Sequence, residues 1–209
     1  MADDAQIWKL IHSERGAVAD LLETLTPDQW AARSLCGTWS VQQAAGHIVA
    51  GSEQTTGNFA KGMLVNGFRF NAMIDKDARR VGAEPTAEII RRLRARTTTT
   101  NRPPGPMATM LGEVVVHGED IRHPLGAAHA HAPDALLACF DMYKTANFPV
   151  GTKSRIAGVR LHPDDLDWTH GDGPEVTGPS ASMLLVMTGR PGALDDLSGE
   201  GLATLRARF

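Results

Sequence analysis

The sequence has 209 residues and a mass of 22.4 kDa, enough for one large domain or for an ordinary domain with a small partner. Apolar residues make up 42% and charged residues 22%, which excludes an intrinsically disordered, collagen-like or fibrous chain. The formal net charge of -3 provides no basic field for a polyanion, so we expect no nucleic-acid partner.

Cysteine usage and the N-terminal composition bear on the compartment. Cys36 and Cys139 could form one disulfide at most, and neither lies in a metal-ligand spacing, which favours a reducing compartment. The N-terminus shows no basic stretch followed by an apolar core, and no apolar run approaches the ~18 residues of a membrane span. We therefore expect a cytoplasmic protein without a membrane partner.

Apolar residues recur at steps of three and four along most of the first 147 residues, which predicts a helical bundle. Ser40 and Gln43 form a capping box at the start of the helix that carries His47. A further helix carries Glu113 and His117, and Pro124 ends its pattern. The predicted helical segments are 7–25, a short turn after Thr26, a helix from Ser40, 68–80, a helix that opens at 84–88 and ends in the threonine run at 97–100, 107–123 and 133–147.

The pattern changes after Phe148–Gly151. Residues 155–162 and 165–169 alternate like strands, and turn residues precede a third short strand at 175–177. Residues 180–188 and 201–208 are predicted as helices on this sheet. We therefore predict an α+β protein with a helical domain over 1–150 and a small α+β module over 151–209, built on a short antiparallel sheet and docked on the helices.

Glu113 and His117 are four residues apart on one predicted helix and so lie on the same face. By composition roughly one acid-x3-His pair is expected by chance, so the spacing alone is weak evidence. A second pair, Glu119 and His123, has its histidine pointing nearly opposite to the apolar stripe.

His47, on the edge of its helix's apolar face, is the obvious partner for Glu113 and His117. Two histidines and one carboxylate would bind a divalent metal and leave coordination positions open, as catalytic sites do. Without further information the alternative is that these are ordinary buried or boundary residues, because histidines near apolar faces are more often structural.

Two groups of motifs stand out. The helical part contains Gly37–Val41, Ala45–His47, Gly112–Arg122 and Pro124–Gly126. The second part contains Asp165–Trp168, Gly171–Val176, Gly178–Pro179 and Gly189–Arg190. Together these motifs resemble the mycothiol-dependent maleylpyruvate isomerase family, which belongs to the DinB-like metal-binding helical bundles. The sequence departs from the family pattern at Gly37–Thr38, which bears on the pocket wall and hence on the substrate rather than on the ligands.

The resemblance implies a DinB-like up-and-down four-helix bundle followed by the family's C-terminal module. It also implies that His47, Glu113 and His117 are metal ligands, usually for zinc, and that mycothiol is the thiol cofactor. Arg190 matches an arginine that the family places near its catalytic site, where a guanidinium fork suits a carboxylate-bearing substrate. The alternative for Arg190 is a cation that complements a helix C-terminus.

The leading hypothesis is a divalent-metal enzyme in which the cation favours the thiolate of mycothiol. Addition to a conjugated cis-alkene would give a cis–trans isomerase, and attack on another small electrophile would give a thiol S-transferase. Two alternatives remain: a metal-dependent hydrolase that activates water, and a non-catalytic module that binds a thiol or small molecule. Asp120 either orients His117 or forms an ion pair with Arg122.

Overall fold

The computed structural model describes residues 3–209, which form eleven α-helices, one 3₁₀ segment and two short strands. The helices are α1 Asp4–Thr24, α2 Pro27–Ala31, α3 Val41–Ser52, α4 Thr56–Val65, α5 Phe70–Val81, α6 Thr86–Arg94, α7 Met107–Leu125, α8 Pro133–Tyr143, α9 Thr152–Arg155, α10 Ser180–Met187 and α11 Leu202–Arg206. The strands are β1 Arg160–Pro163 and β2 Glu175–Gly178, and the 3₁₀ segment is Pro191–Asp196. Within this part of the chain no helix combines the length and the apolar character needed to cross a membrane.

The described chain divides into two compact units, residues 3–129 and residues 130–209. In the first unit four helices form a closed ring of contacts, in which α1 packs on α7, α7 on α3, α3 on α6 and α6 on α1. The apolar stripes predicted from the sequence line its core, including Ile11, Val18, Val41, Leu111 and Ile121. The helical bundle predicted from periodicity is thus present.

Helix α3 is fixed at both its start and its flank. Ser40 accepts a hydrogen bond from the Gln43 amide, and the Gln43 side chain accepts one from the Ser40 amide, so the predicted capping box forms. Gly46, one residue before His47, faces α5 so closely that an added Cβ would lie 2.5 Å from the Gly82 amide nitrogen. The missing side chain therefore lets α5 pack directly against α3 beside His47.

The second unit gathers α8 to α11, the strands and the 3₁₀ segment. Helix α8 precedes the boundary at residue 150 that the sequence predicts, yet it packs on α10 and therefore lies in this unit. The ring centroids of Phe140 on α8 and Trp168 lie 4.4 Å apart, so an aromatic contact joins α8 to the loop after β1.

The prediction of an antiparallel sheet is wrong, because β1 and β2 run parallel with Arg160 opposite Glu175. Residues 165–169 are not a strand; the chain there returns along β1 and makes one isolated antiparallel bridge, Leu161 to His170. Gly171 and Gly173 then pass so close to the carbonyls of Val159 and Gly158 that neither position has room for a Cβ. The chain thus comes back to the start of β1 before β2 begins, and β2 runs in the same direction.

Three elements were not predicted from the sequence. Helix α4 has no buried residue, so it lacks the apolar stripe that periodicity detects. Helix α9 ends at Arg155, the residue at which a strand was predicted to begin, and the 3₁₀ segment follows Arg190 directly. All three are short or exposed, and their sequences carry little periodic signal.

Candidate metal centre

The structure brings His47 on α3 together with Glu113 and His117 on α7. His47 Nε2 lies 2.7 Å from Glu113 Oε2, and His117 Nε2 lies 3.8 Å from the same oxygen. The two imidazole rings meet edge to face, with centroids 4.3 Å apart. One potential ligand atom from each residue therefore lies within 4.8 Å of the other two.

His117 is held by a buried carboxylate on the same helix. Its Nδ1 lies 2.7 Å from Oδ2 of Asp120, whose side chain is completely inaccessible to solvent. Burial lowers the pKa of His117 below its ordinary value, and the nearby His47 adds to this, while the hydrogen bond to Asp120 works in the opposite direction. A neutral imidazole that donates from Nδ1 leaves the lone pair of Nε2 available to a metal.

Asp120 was predicted either to orient His117 or to pair with Arg122. The geometry favours the first role, because Asp120 contacts the His117 ring whereas Arg122 Nη1 lies 3.4 Å from Glu119 Oε1. The main-chain carbonyl of Asp120 also accepts a hydrogen bond from the Leu35 amide at 3.0 Å. Asp120 thus contacts His117 through its side chain and the loop before α3 through its main chain.

Trp39 forms an apolar wall beside the two histidines. Its ring lies 5.1 Å from that of His47 and 6.0 Å from that of His117, measured between centroids. The indole Nε1 donates to Asp75 Oδ1 at 2.8 Å, and Asp75 in turn pairs with Arg79 of the same helix. The indole is therefore fixed in place by α5, and it shields one side of the histidine pair from water.

The donor set fits a divalent transition metal. Two imidazole nitrogens and one carboxylate oxygen are the ligands of many catalytic zinc sites, which leave at least one coordination position open. His47 and His117 are buried, whereas the Glu113 side chain is 42% exposed. Exposure at Glu113 gives the cluster a side from which a further ligand can approach.

A narrow cleft opens beside this cluster, and its walls include Arg15, Gly51 and Met110 as well as His47 and Glu113. The sequence analysis did not identify Arg15. A signal was present: Arg15 follows Ile11 by four residues and precedes Val18 by three, so it occupies a position on the buried stripe of α1.

The remaining predicted residues lie as follows. Arg190 belongs to the second unit, where it is 7% exposed and donates from Nη1 to the Thr188 carbonyl at 2.7 Å. Cys36 is half-buried, and its sulfur lies within 4.8 Å of ligand atoms of His117 and Asp120. Both cysteines are free thiols. The structure thus gathers the three predicted metal ligands, and the catalytic role of Arg190 stays a prediction.

Fold and site together define a helical bundle with a two-histidine, one-glutamate cluster between two of its helices. Residues 11–104 match a family model described as the mycothiol maleylpyruvate isomerase N-terminal domain. This match over slightly less than half of the chain confirms the resemblance that the sequence motifs indicate. His47 lies inside the matched range, whereas Glu113 and His117 lie beyond it.

Two solved structures share the fold. The crystal structure of the mycothiol-dependent maleylpyruvate isomerase matches with a TM-score of 0.64 at 13% identity, over 95% of this chain and 93% of that one. The crystal structure of a mutant of that enzyme matches with a TM-score of 0.65 at 12% identity, over the same shares of both chains. No curated protein matches the sequence. At this identity the likeness establishes the fold, and the activity has to be argued from the site.

Proposed function

We propose that the protein is a divalent-metal-dependent enzyme that uses the thiol cofactor mycothiol, either as a maleylpyruvate isomerase-like cis–trans isomerase or as an S-transferase. The observation that carries this proposal is the convergence of His47, Glu113 and His117 from α3 and α7. The family match over residues 11–104 supports mycothiol as the cofactor. The substrate would be a small electrophile.

His47, Glu113 and His117 are the proposed ligands, and zinc is the proposed metal. Each residue has a separate role in such a site: the neutral imidazoles supply two nitrogen ligands, and the Glu113 carboxylate offsets part of the positive charge. Asp120 keeps the His117 ring oriented through the 2.7 Å contact at Nδ1. Trp39 excludes water from one side of the cluster, which strengthens charge interactions there.

The cation and the thiol, when bound, would supply a thiolate nucleophile. Such a nucleophile can add to a cis-alkene and leave again after rotation, which gives the trans isomer, or it can displace a leaving group from another electrophile, which gives a thioether. The protein would hold the reacting groups on the exposed side of Glu113, and Trp39 would exclude water from the side of the two histidines. Arg190 is proposed to bind a substrate carboxylate through its guanidinium fork. The hydrogen bond from its guanidinium to the Thr188 carbonyl restricts the side-chain conformation, which suits a residue that recognises a substrate in one orientation.

Metal content tests the ligand set. We expect the purified protein to bind one zinc ion per chain and the His47→Ala variant to lose it, as measured by elemental analysis after dialysis. His162→Ala is the matched control, because the His162 side chain is 49% exposed and lies on β1 in the second unit. Unchanged zinc in His47→Ala would remove this residue from the site.

Thiol dependence tests the reaction class. We expect turnover of maleylpyruvate, or formation of a thioether from another electrophile, only when mycothiol is added to the zinc-loaded protein. Hydrolytic turnover without mycothiol would identify a hydrolase that activates water. Binding of mycothiol without turnover of any electrophile tested would identify a non-catalytic module.

A further inference from the structure

A second cleft, much larger than the one beside the metal centre, lies between the end of α3, α4 and α5, all within residues 3–129. This space, the α4 cleft, has a volume of about 420 Å³, within the range of about 300–1,000 Å³ that small-molecule sites occupy. No residue lines both clefts, so the α4 cleft is separate from the one that His47 and Glu113 line.

Helix α4 forms one wall of this cleft and adds little to the hydrophobic core, because none of its residues is buried. It approaches α5 at Gly62, where an added Cβ would lie 2.6 Å from the Met73 sulfur. The turn after α4 holds Phe68 at a φ of 60°, which is a strained backbone conformation for a bulky residue. Such strain is concentrated at ligand sites and functional segments, so this part of the chain is a candidate for binding.

The carboxylates that line the α4 cleft are already paired with arginines. Glu53 Oε2 lies 2.5 Å from Arg92 Nη2. Asp77 Oδ1 lies 3.2 Å from Nη2 of Arg80, which also lines the cleft. Because each carboxylate has an arginine partner, its negative charge is already offset and does not neutralise the other cations of the cleft.

Lys61 on α4 and Lys76 on α5 give the cleft its positive charge. Both side chains line it, and neither forms an ion pair or a hydrogen bond with the residues that the structure describes. Two ammonium groups match a ligand with about two negative charges, as a phosphate monoester has at about pH 7. An ammonium group binds as a point charge, whereas a planar carboxylate is matched better by the fork of a guanidinium. The lysines therefore favour a phosphate group.

Three carboxamide side chains line the same cleft, those of Gln54, Asn58 and Asn66. The Oε1 atom of Gln54 is buried and has no hydrogen-bond partner among residues 3–209. Asn66 donates from Nδ2 to the Gly62 carbonyl at 2.8 Å, which leaves its Oδ1 as an acceptor. Carboxamides both donate and accept, as hydroxyl groups do, so these side chains suit a ligand that is rich in hydroxyl groups.

We propose that the α4 cleft is a binding site for a small phosphorylated polyol, such as a sugar phosphate. Lys61 and Lys76 bind the phosphate, and the carboxamides of the cleft bind hydroxyl groups. The proposal goes beyond the proposed function and does not depend on it, because none of the proposed metal ligands lines this cleft.

Calorimetric titration with glucose 6-phosphate, glucose and inorganic phosphate tests the ligand class. We expect glucose 6-phosphate to bind about tenfold more tightly than either of the others, since only this compound carries both kinds of group. Lys76→Met should weaken its binding about tenfold, the effect of losing one hydrogen bond between charged groups. Lys9→Met is the control and should stay within about twofold of the parent, because Lys9 is exposed on α1 and does not line the cleft.

Gln54→Leu tests the contact with the hydroxyl groups. The Gln54 oxygen has no hydrogen-bond partner to lose among the described residues, so this variant should fold as the parent does. It should weaken glucose 6-phosphate binding about fivefold, the effect of losing one hydrogen bond between neutral groups. Gln6→Leu, at another half-buried glutamine that does not line the cleft, is the control and should bind as the parent does.

Titration of the protein with and without zinc locates the site. Equal affinity for glucose 6-phosphate supports the α4 cleft, whereas binding that requires zinc would place the phosphate at the metal centre and overturn the proposal. Absence of binding to the parent, or equal binding by Lys76→Met and Lys9→Met, would also overturn it. A protein that binds no zinc contradicts the metal-dependent function and leaves the prediction for the α4 cleft unchanged.

Discussion

Asp120 and His117, three residues apart on α7, form a buried carboxylate–imidazole pair in which Oδ2 lies 2.7 Å from Nδ1. The pair fixes which imidazole nitrogen carries the proton, because only a protonated Nδ1 can donate to the carboxylate. Nε2 is then directed towards Glu113, at 3.8 Å. Histidine ligands in metal sites are held in the same way, because a carboxylate bonded to one ring nitrogen makes the other nitrogen more basic.

Replacing Asp120 by Asn should weaken zinc binding about 10- to 100-fold, the usual effect of losing a carboxylate behind a ligand histidine. The amide keeps the shape of the side chain but loses its negative charge. Competition with a chromogenic chelator measures the affinity. Asp77→Asn, at a half-buried carboxylate on α5 that pairs with Arg80, provides the control, and equal affinities for the two variants would show that Asp120 has only a structural role.

Replacing Glu113 by Gln distinguishes a metal ligand from a structural hydrogen-bond partner. The amide oxygen can still accept a hydrogen bond from His47 Nε2, and the side chain is 42% exposed, so the free energy of unfolding of the metal-free protein should change by less than about 0.5 kcal/mol. Zinc affinity should fall strongly, since a neutral amide is a poor ligand for this cation.

Urea unfolding and zinc competition, carried out on the same preparation, measure the two quantities for Glu113→Gln. Glu88→Gln, at a half-buried glutamate on α6 with a comparable side-chain exposure of 37%, is the control and should change neither. A large loss of stability with unchanged zinc affinity would mean that Glu113 serves the fold rather than a metal.

The helical bundle could be predicted from local sequence, and so could the three residues that cluster between α3 and α7, whereas their choice as metal ligands came from the family resemblance. Periodicity places His47 and the pair at 113 and 117 on the inner shoulders of their helices, and the four-residue spacing puts Glu113 and His117 on one face. Which helices become neighbours is not local information, so the 2.7 Å contact between His47 and Glu113 required the fold.

The features that could not be predicted depend on distant segments. In the sequence Arg15 looks like an ordinary polar residue of α1, because its hydrogen-bond partners, the carbonyls of Arg96 and Thr99, are 81 and 84 residues away. The direction of β2 depends on the close passage of Gly171 and Gly173 over the start of β1. Turn residues indicate that the chain changes direction. They do not give the number of reversals between β1 and β2, which decides whether the two strands run parallel or antiparallel.

Replacing Gly46 by Ala should destabilise the protein by about 1–3 kcal/mol, the cost of forcing an extra methyl group into a well-packed contact. The new Cβ would meet main-chain atoms of Ala78 and Gly82, which cannot move aside as a flexible side chain can. Gly51→Ala, on the same helix, is the matched control, and the better helix propensity of alanine should stabilise it by up to about 1 kcal/mol. Chemical denaturation of both variants measures the difference, and equal stabilities would contradict the close approach of α3 and α5.

Replacing Arg92 by Met should destabilise the protein by about 1–3 kcal/mol, since it leaves two partly buried carboxylates without their shared partner. Arg92 Nη2 lies 2.5 Å from Glu53 Oε2 and its Nη1 lies 2.6 Å from Glu84 Oε2, with the arginine side chain 16% exposed. Hydrogen bonding to Glu53 raises the pKa of Arg92 above its ordinary value.

The pair at Arg91 and Glu88 is more exposed, so Arg91→Met should change stability by less than about 0.5 kcal/mol. Urea midpoints in low and high salt check this prediction: the difference between the two variants should persist in salt, because partly buried pairs are screened less than exposed ones.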